Sequence, residues 1–325
     1  MNRFSDFYKS TKMKRLIFLI PGLLLFNLLL AQQEPQFTQF MYNKLVYNPA
    51  YAGSNEATCI QGFYRTQWIG IEGAPTSMLV SFNMPLTNQR VGLGGTIYRN
   101  TIGIQENIGA EASYAYRFQV GNGFLGIGAM ASVKLLRANF GETDPIQQND
   151  GAIPANLQSK FVPNFGVGAY YHNQRFFVGL SVPRLLQNNI DFADEDRVIS
   201  REIRHIYAMG GVAIPLSDNV KLQPQVLLKY VDGAPFDADA NLSLILLDRY
   251  MLGASYRLGG SKRSGIGESV DIILGAQITN NLFLSFGYDI TLSELKNYND
   301  GTIEVLLRYC FGKPEGEEFL NPRFF

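Results

Sequence analysis

The hydrophobic positions of this chain recur every second residue. Along 302–311, reading TIEVLLRYCF, Ile303, Val305, Leu307, Tyr309 and Phe311 fall on one face. Thr302, Glu304, Leu306, Arg308 and Cys310 fall on the other. That period predicts an extended strand rather than a helix. The first face suits lipid, while the second carries a carboxylate and a guanidinium that need water or each other. A strand of about ten residues with this pattern crosses an outer membrane when tilted. The alternation returns at 249–258, 267–278 and 281–290, and again at 107–118, where Tyr114, Tyr116 and Phe118 oppose Glu111, Ser113 and Arg117.

Fourteen strands are predicted in all. They are 57–67, 76–84, 91–99, 107–118, 122–137, 161–171, 175–182, 203–214, 220–231, 236–247, 249–258, 267–278, 281–290 and 302–311. Alternation alone also fits a β-sandwich, and the connections separate the two. Those after even-numbered strands are short, built on 87–89, Gly121, 173–174, 217–219, Asp248 and 279–280. Most of those after odd-numbered strands are longer, notably 138–160, 183–202, 259–266 and 291–301; 232–235 is a short exception. Outer-membrane barrels have this asymmetry, with short periplasmic turns and long outer loops. The reading is therefore all-β: a transmembrane up-and-down antiparallel barrel of about fourteen strands with both termini periplasmic. Residues 56–312 form the barrel, and 313–325 form a periplasmic tail. Residues 32–55 form a lead-in that lacks clean alternation and sits under or inside the barrel at the periplasmic side, periplasmic or plug-like.

Composition changes the picture at the N-terminus. Lys12, Lys14 and Arg15 precede an apolar run, 16–31, which reads as a signal peptide ending at Ala31. Residues 1–31 are thus excluded from the folded part. Removing them leaves 23 basic against 27 acidic groups, which argues against nucleic acid as a partner. No internal apolar run is long enough for a spanning helix.

Candidate chemistry is sparse. The two cysteines, Cys59 and Cys310, begin the first strand and end the last, so a closed barrel makes them neighbours near the periplasmic rim, both pointing inward. An exported compartment permits a disulfide between them; two separate buried thiols are the alternative. His172 and His205 are not in metal-ligand spacing, and two cysteines alone do not make a structural zinc site. His205 is the one route to a serine–histidine–acid enzyme. No catalytic, metal or cofactor-binding residue is assigned. Gly92, Gly94, Gly95, Gly121, Gly123, Gly126 and Gly128 lie in or beside strands, so they read as packing or bending positions rather than a nucleotide loop. Arg65, Arg117, Arg257 and Arg308 are expected to form a lumen network with Glu111, Asp271, Asp289 and Glu304. The acidic run 191–196 fails the EF-hand spacing and reads as a solvated loop.

The lead-in is more specific. Residues 37–43, FTQFMYN, precede 47–54, YNPAYAGS, and Arg65-Thr66-Gln67-Trp68 follows in the first strand and its loop. This block resembles the opening of the PorP/SprF family of membrane proteins of the type IX secretion system. Lys44 stands where members often carry an apolar or proline-like residue. The resemblance implies a non-enzymatic outer-membrane barrel that handles or anchors cargo with C-terminal sorting domains, including gliding adhesins. It implies periplasmic ring or translocon proteins as partners, beside outer-membrane lipid. Asn48, Pro49, Tyr51, Gly53 and Trp68 are candidate partner-docking residues; a rigid plug or rim brace is the other role for 48–54. An outer-membrane transporter of small hydrophobic molecules is the alternative function.

Overall fold

The computed structural model describes residues 34–55, 57–86, 90–142, 157–192, 200–259 and 267–311. The signal peptide and tail read from the sequence lie outside the described residues. Fifteen strands follow one another: β1 (Thr58–Thr66), β2 (Thr76–Leu86), β3 (Val91–Ile102), β4 (Gln105–Val120), β5 (Gly123–Asn139), β6 (Leu157–His172), β7 (Phe176–Val182) and β8 (His205–Val212). Then come β9 (Ile214–Ser217), β10 (Val220–Val231), β11 (Asp237–Leu246), β12 (Tyr250–Arg257), β13 (Ser269–Gln277), β14 (Leu282–Thr291) and β15 (Thr302–Phe311).

β8 and β9 are one stave interrupted at Ala213, and both pair with β10. Pro215 has no N–H to give the ladder, and the register shifts at Val220 and Lys221 opposite it. Fourteen staves result. All are antiparallel to their neighbours, and β15 returns to pair with β1 from Thr58↔Phe311 to Thr66↔Ile303. Closure leaves no sheet edge, which a membrane-spanning sheet requires because lipid offers no hydrogen-bond partner.

The alternation dictates the two surfaces. In β4, Tyr114, Tyr116 and Phe118 point outward and are exposed, while Glu111, Ser113, Ala115 and Arg117 are buried in the lumen. β15 does the same, with Glu304 and Leu306 fully buried between outward residues. The apolar core lies inside the barrel. Wall residues such as Leu79, Phe177, Ile273, Phe283 and Leu306 pack on the chain that fills it.

That chain is residues 34–55, the segment for which a plug-like course is one of the two expected placements. Its contacts begin at the long-loop end, where Gln36 meets Asp237 and Thr38 meets Glu304. They descend past Gln39, which accepts from Ser285, to Tyr42 beside Phe283. Helix α1 (Lys44–Tyr47) and a 3-10 turn (Pro49–Tyr51) cross the lumen. Gly53 then donates to Asn83 at the short-turn end, from which β1 rises. The first described residue, Glu34, lies at the long-loop end. The segment therefore fills the lumen, which is the plug-like of the two placements expected for it. The physical reason is that a lumen this wide is lined with apolar and charged side chains, and both need a filling partner.

Candidate functional site

Three sets of contacts fix the lumen segment. The first is at Glu304, which is fully buried. Its carboxylate accepts from the backbone N–H of Thr38 (3.0 Å) and of Gln39 (2.9 Å), and from Arg65 (3.0 Å). Arg65 also donates to Asp289 (2.8 Å) and to the Thr38 hydroxyl oxygen (2.8 Å), and that hydroxyl donates on to Asp289 (2.7 Å). A desolvated charge is tolerated only when its bonds are made, and here the lumen segment makes them.

The second set is at the outer end. After β7 the chain turns inward at Pro183, which packs on Gly166, and the Arg184 side chain enters the lumen. Arg184 meets Glu111 (3.0 Å), Glu34 (3.3 Å) and Glu202 (3.4 Å), and Lys134 meets Glu202 (2.6 Å). Burial would raise the Glu34 carboxyl, but Arg184, then Lys134 and His205, bring it down to about 2. Nearby, Lys229 bridges Asp239 (2.7 Å) and Asp237 (3.2 Å), and Gln36 bonds both Lys229 and Asp237.

The third set explains the YNPAYAGS block. Asn48 caps its own turn by accepting from Ala50 N–H (3.0 Å), and donates to the Ala169 carbonyl (2.9 Å). Pro49 begins the turn without needing an N–H partner. Ala50 lies against Gly126 and Gly128, Asn48 against Gly168, and Ala52 against Gly92; a Cβ at any of these glycines would collide. Gly53 has φ +70 beside Gly92, a conformation and a clearance that glycine alone supplies. The wall carries Gly-x-Gly at 92–94, 126–128 and 166–168, and the period of two puts both glycines of each pair on the lumen face. Five of these six glycines seat the block, and Gly166 seats Pro183 instead. The sequence showed the first two as packing positions but not what they receive.

Asn48, Pro49, Tyr51 and Gly53 are therefore together, and buried. Trp68 is at the other end, in the β1–β2 loop. It is half-buried with φ +49, a left-handed conformation that a bulky residue adopts only under constraint. The constraint is visible: Trp68 N–H donates to the Thr302 hydroxyl, and Ile69 exchanges backbone hydrogen bonds with Gly301 and Asp300. Trp68 borders an outer vestibule of about 480 Å³. Cys59 and Cys310 face each other across the β1–β15 seam, joined by a disulfide with sulfurs 2.07 Å apart. His205 Nδ1 lies 2.9 Å from the Ile203 carbonyl, and its ring stacks on Tyr207.

The expected lumen network is partly rearranged. Arg65 does meet Asp289 and Glu304, but Arg257 takes Asp239 (2.8 Å), a residue the pattern had not singled out. Glu111 takes Arg184 from a loop. Arg308 instead lies over the rings of Tyr42 and Phe283, 5.1 Å from each centroid. Deeper still is Lys44, 4.2 Å above the Phe177 ring.

A closed, lipid-faced barrel with a filled lumen is an outer-membrane protein. Matches to known proteins give the particular family: the chain belongs to PorP/SprF, described as a type IX secretion system membrane protein, with residues 29–309 matched. It is a type IX secretion component of the outer membrane. No curated protein matches it. Among solved structures it is similar to the monoaromatic hydrocarbon channel CymD, at 11% identity and TM-score 0.50, over 86% of this chain and 94% of that one. It is also similar to the Ralstonia pickettii toluene transporter TbuX, at 8% identity and TM-score 0.47, over 83% and 92%. Omp33 of Acinetobacter baumannii gives 10% identity and TM-score 0.47, over 80% and 100%. At such identities the likeness speaks to the barrel fold alone.

Proposed function

We propose that this barrel is a non-conducting, non-enzymatic scaffold of type IX secretion. It holds cargo bearing a C-terminal sorting domain at its outer loops and meets periplasmic ring or translocon proteins at its short-turn end. Gliding adhesins are among the cargo this reading covers. The observation that carries it is the lumen: residues 34–55 fill it and are bonded to the wall through Glu304, Arg65 and Asp289. A protein conduit would need that space open. The burial of Asn48, Pro49, Tyr51 and Gly53 supports bracing over direct docking, and it leaves Trp68 as the one of the five on an open surface. A transporter for small hydrophobic molecules would call for a continuous apolar passage, whereas ion pairs cross the lumen here.

Affinity purification of the tagged protein from gently solubilised outer membranes tests this reading. Recovery of secretion-ring components, or of a large protein with a C-terminal sorting domain, supports the scaffold. A barrel recovered alone with a lipid-like molecule in its lumen overturns it.

A further inference from the structure

The outer vestibule contains two kinds of polar group. Its cations and several of its acids are spent on one another: Lys134 on Glu202, and Arg137 on Glu106 at 3.5 Å. Its amides are not. Gln67, Asn100, Gln105 and Asn107 all line the cavity, and none of their side chains has a hydrogen-bond partner among the described residues. Strand register explains the grouping. Asn100 and Asn107 are direct cross-strand partners between β3 and β4, and both share the inward parity of Tyr98 and Glu111. Gln67 continues the inward face of Arg65. Across the cavity, the Glu268 carboxylate accepts no hydrogen bond from a described residue. Trp68, held in its unusual backbone conformation, borders the same space.

We propose that this vestibule is a binding site for a neutral, polyhydroxylated ligand of the oligosaccharide class. Each planar amide presents a donor and an acceptor at fixed spacing, which suits hydroxyl groups that both give and take. Glu268 accepts from hydroxyls and disfavours an anionic ligand. An indole offers a flat apolar face with a polar edge, suited to a sugar ring at a wet surface. The cavity of about 480 Å³ is in the size range of small-molecule sites, roughly 300–1,000 Å³. With Lys134 and Arg137 already ion-paired, no free cation is left among the described lining residues to hold an anion, and the four amides supply most of the remaining hydrogen-bonding capacity, which suits a neutral ligand. The site borders the outer end of the lumen segment at Glu34–Gln36, but its test reads ligand binding by the isolated protein and so stands apart from the co-purification that tests the scaffold.

The chain has one tryptophan, so its fluorescence reports on this cavity. The full-length mature protein in detergent is titrated with neutral gluco-, manno- and chito-oligosaccharides, and separately with acidic and basic peptides. A saturable change in Trp68 emission with at least one oligosaccharide is expected. Asn100→Ala with Asn107→Ala should weaken it about tenfold, equivalent to about 1.4 kcal/mol. Retained heat-modifiable migration on gels shows that the double variant still folds. No saturable change with any oligosaccharide up to millimolar concentration overturns the proposal, as does a change produced by peptides alone.

Discussion

At Gly128 the wall touches the Ala50 backbone, so side-chain size there decides whether the lumen block seats. Gly128→Val should destabilise the seated segment by about 1–3 kcal/mol, the usual range for overpacking. Limited proteolysis of residues 34–55 would read it; wild-type resistance in the variant would contradict the seating argument. Glu34 has the carboxylate sign. Its folded value of about 2 lies below the ordinary one, so its contribution is present above about pH 4.5 and lost as pH falls through 2. Glu34→Gln should speed hydrogen exchange around 34–41 at pH 7 and make little difference at pH 2.

The elements show how pattern becomes architecture. β10 and β15 lie where alternation placed them, because their faces are sharply apolar and polar. β8 begins two residues later than read, at His205, since the preceding chain belongs to the loop that brings Arg184 inward. β6 begins earlier, at Leu157, because β5 is long enough to pair with it beyond the apolar band. The seam between β1 and β15 is a separate test. The Cys59–Cys310 bond links residues 251 apart in sequence, and loss of such a crosslink typically costs about 2–5 kcal/mol. Cys59→Ser with Cys310→Ser should lower the temperature at which the barrel loses its compact migration. A non-reducing gel that shows free thiols in both cysteines of the wild type would remove the basis for that expectation.

For the whole molecule, the filled lumen sets the transport behaviour. Reconstituted into planar bilayers, the intact protein should give no stable conductance steps. Deleting residues 34–53 should produce steps, since the wall closes through β1–β15 without that segment. Large steady conductance in the intact protein would mean that the segment leaves the lumen readily, and the scaffold reading would weaken.

The class of fold, the number of staves and the family were legible in the residues alone. All three rest on signals that are local along the chain: the period of two, the alternation of turn lengths, and one contiguous block at 37–68. The sequence also brought Cys59 and Cys310 together, because closure makes first and last strands neighbours whatever the lumen contains. It did not determine where the lead-in goes. The direction of residues 34–55 depends on Glu304 finding the N–H groups of Thr38 and Gln39, more than 260 positions away. Nor did it show that glycines of three separate staves form one seat, or that Arg184 would leave a loop to meet Glu34 and Glu111. Those pairings are set by barrel shear and by which charges end at the same depth. Only the closed tertiary structure fixes both.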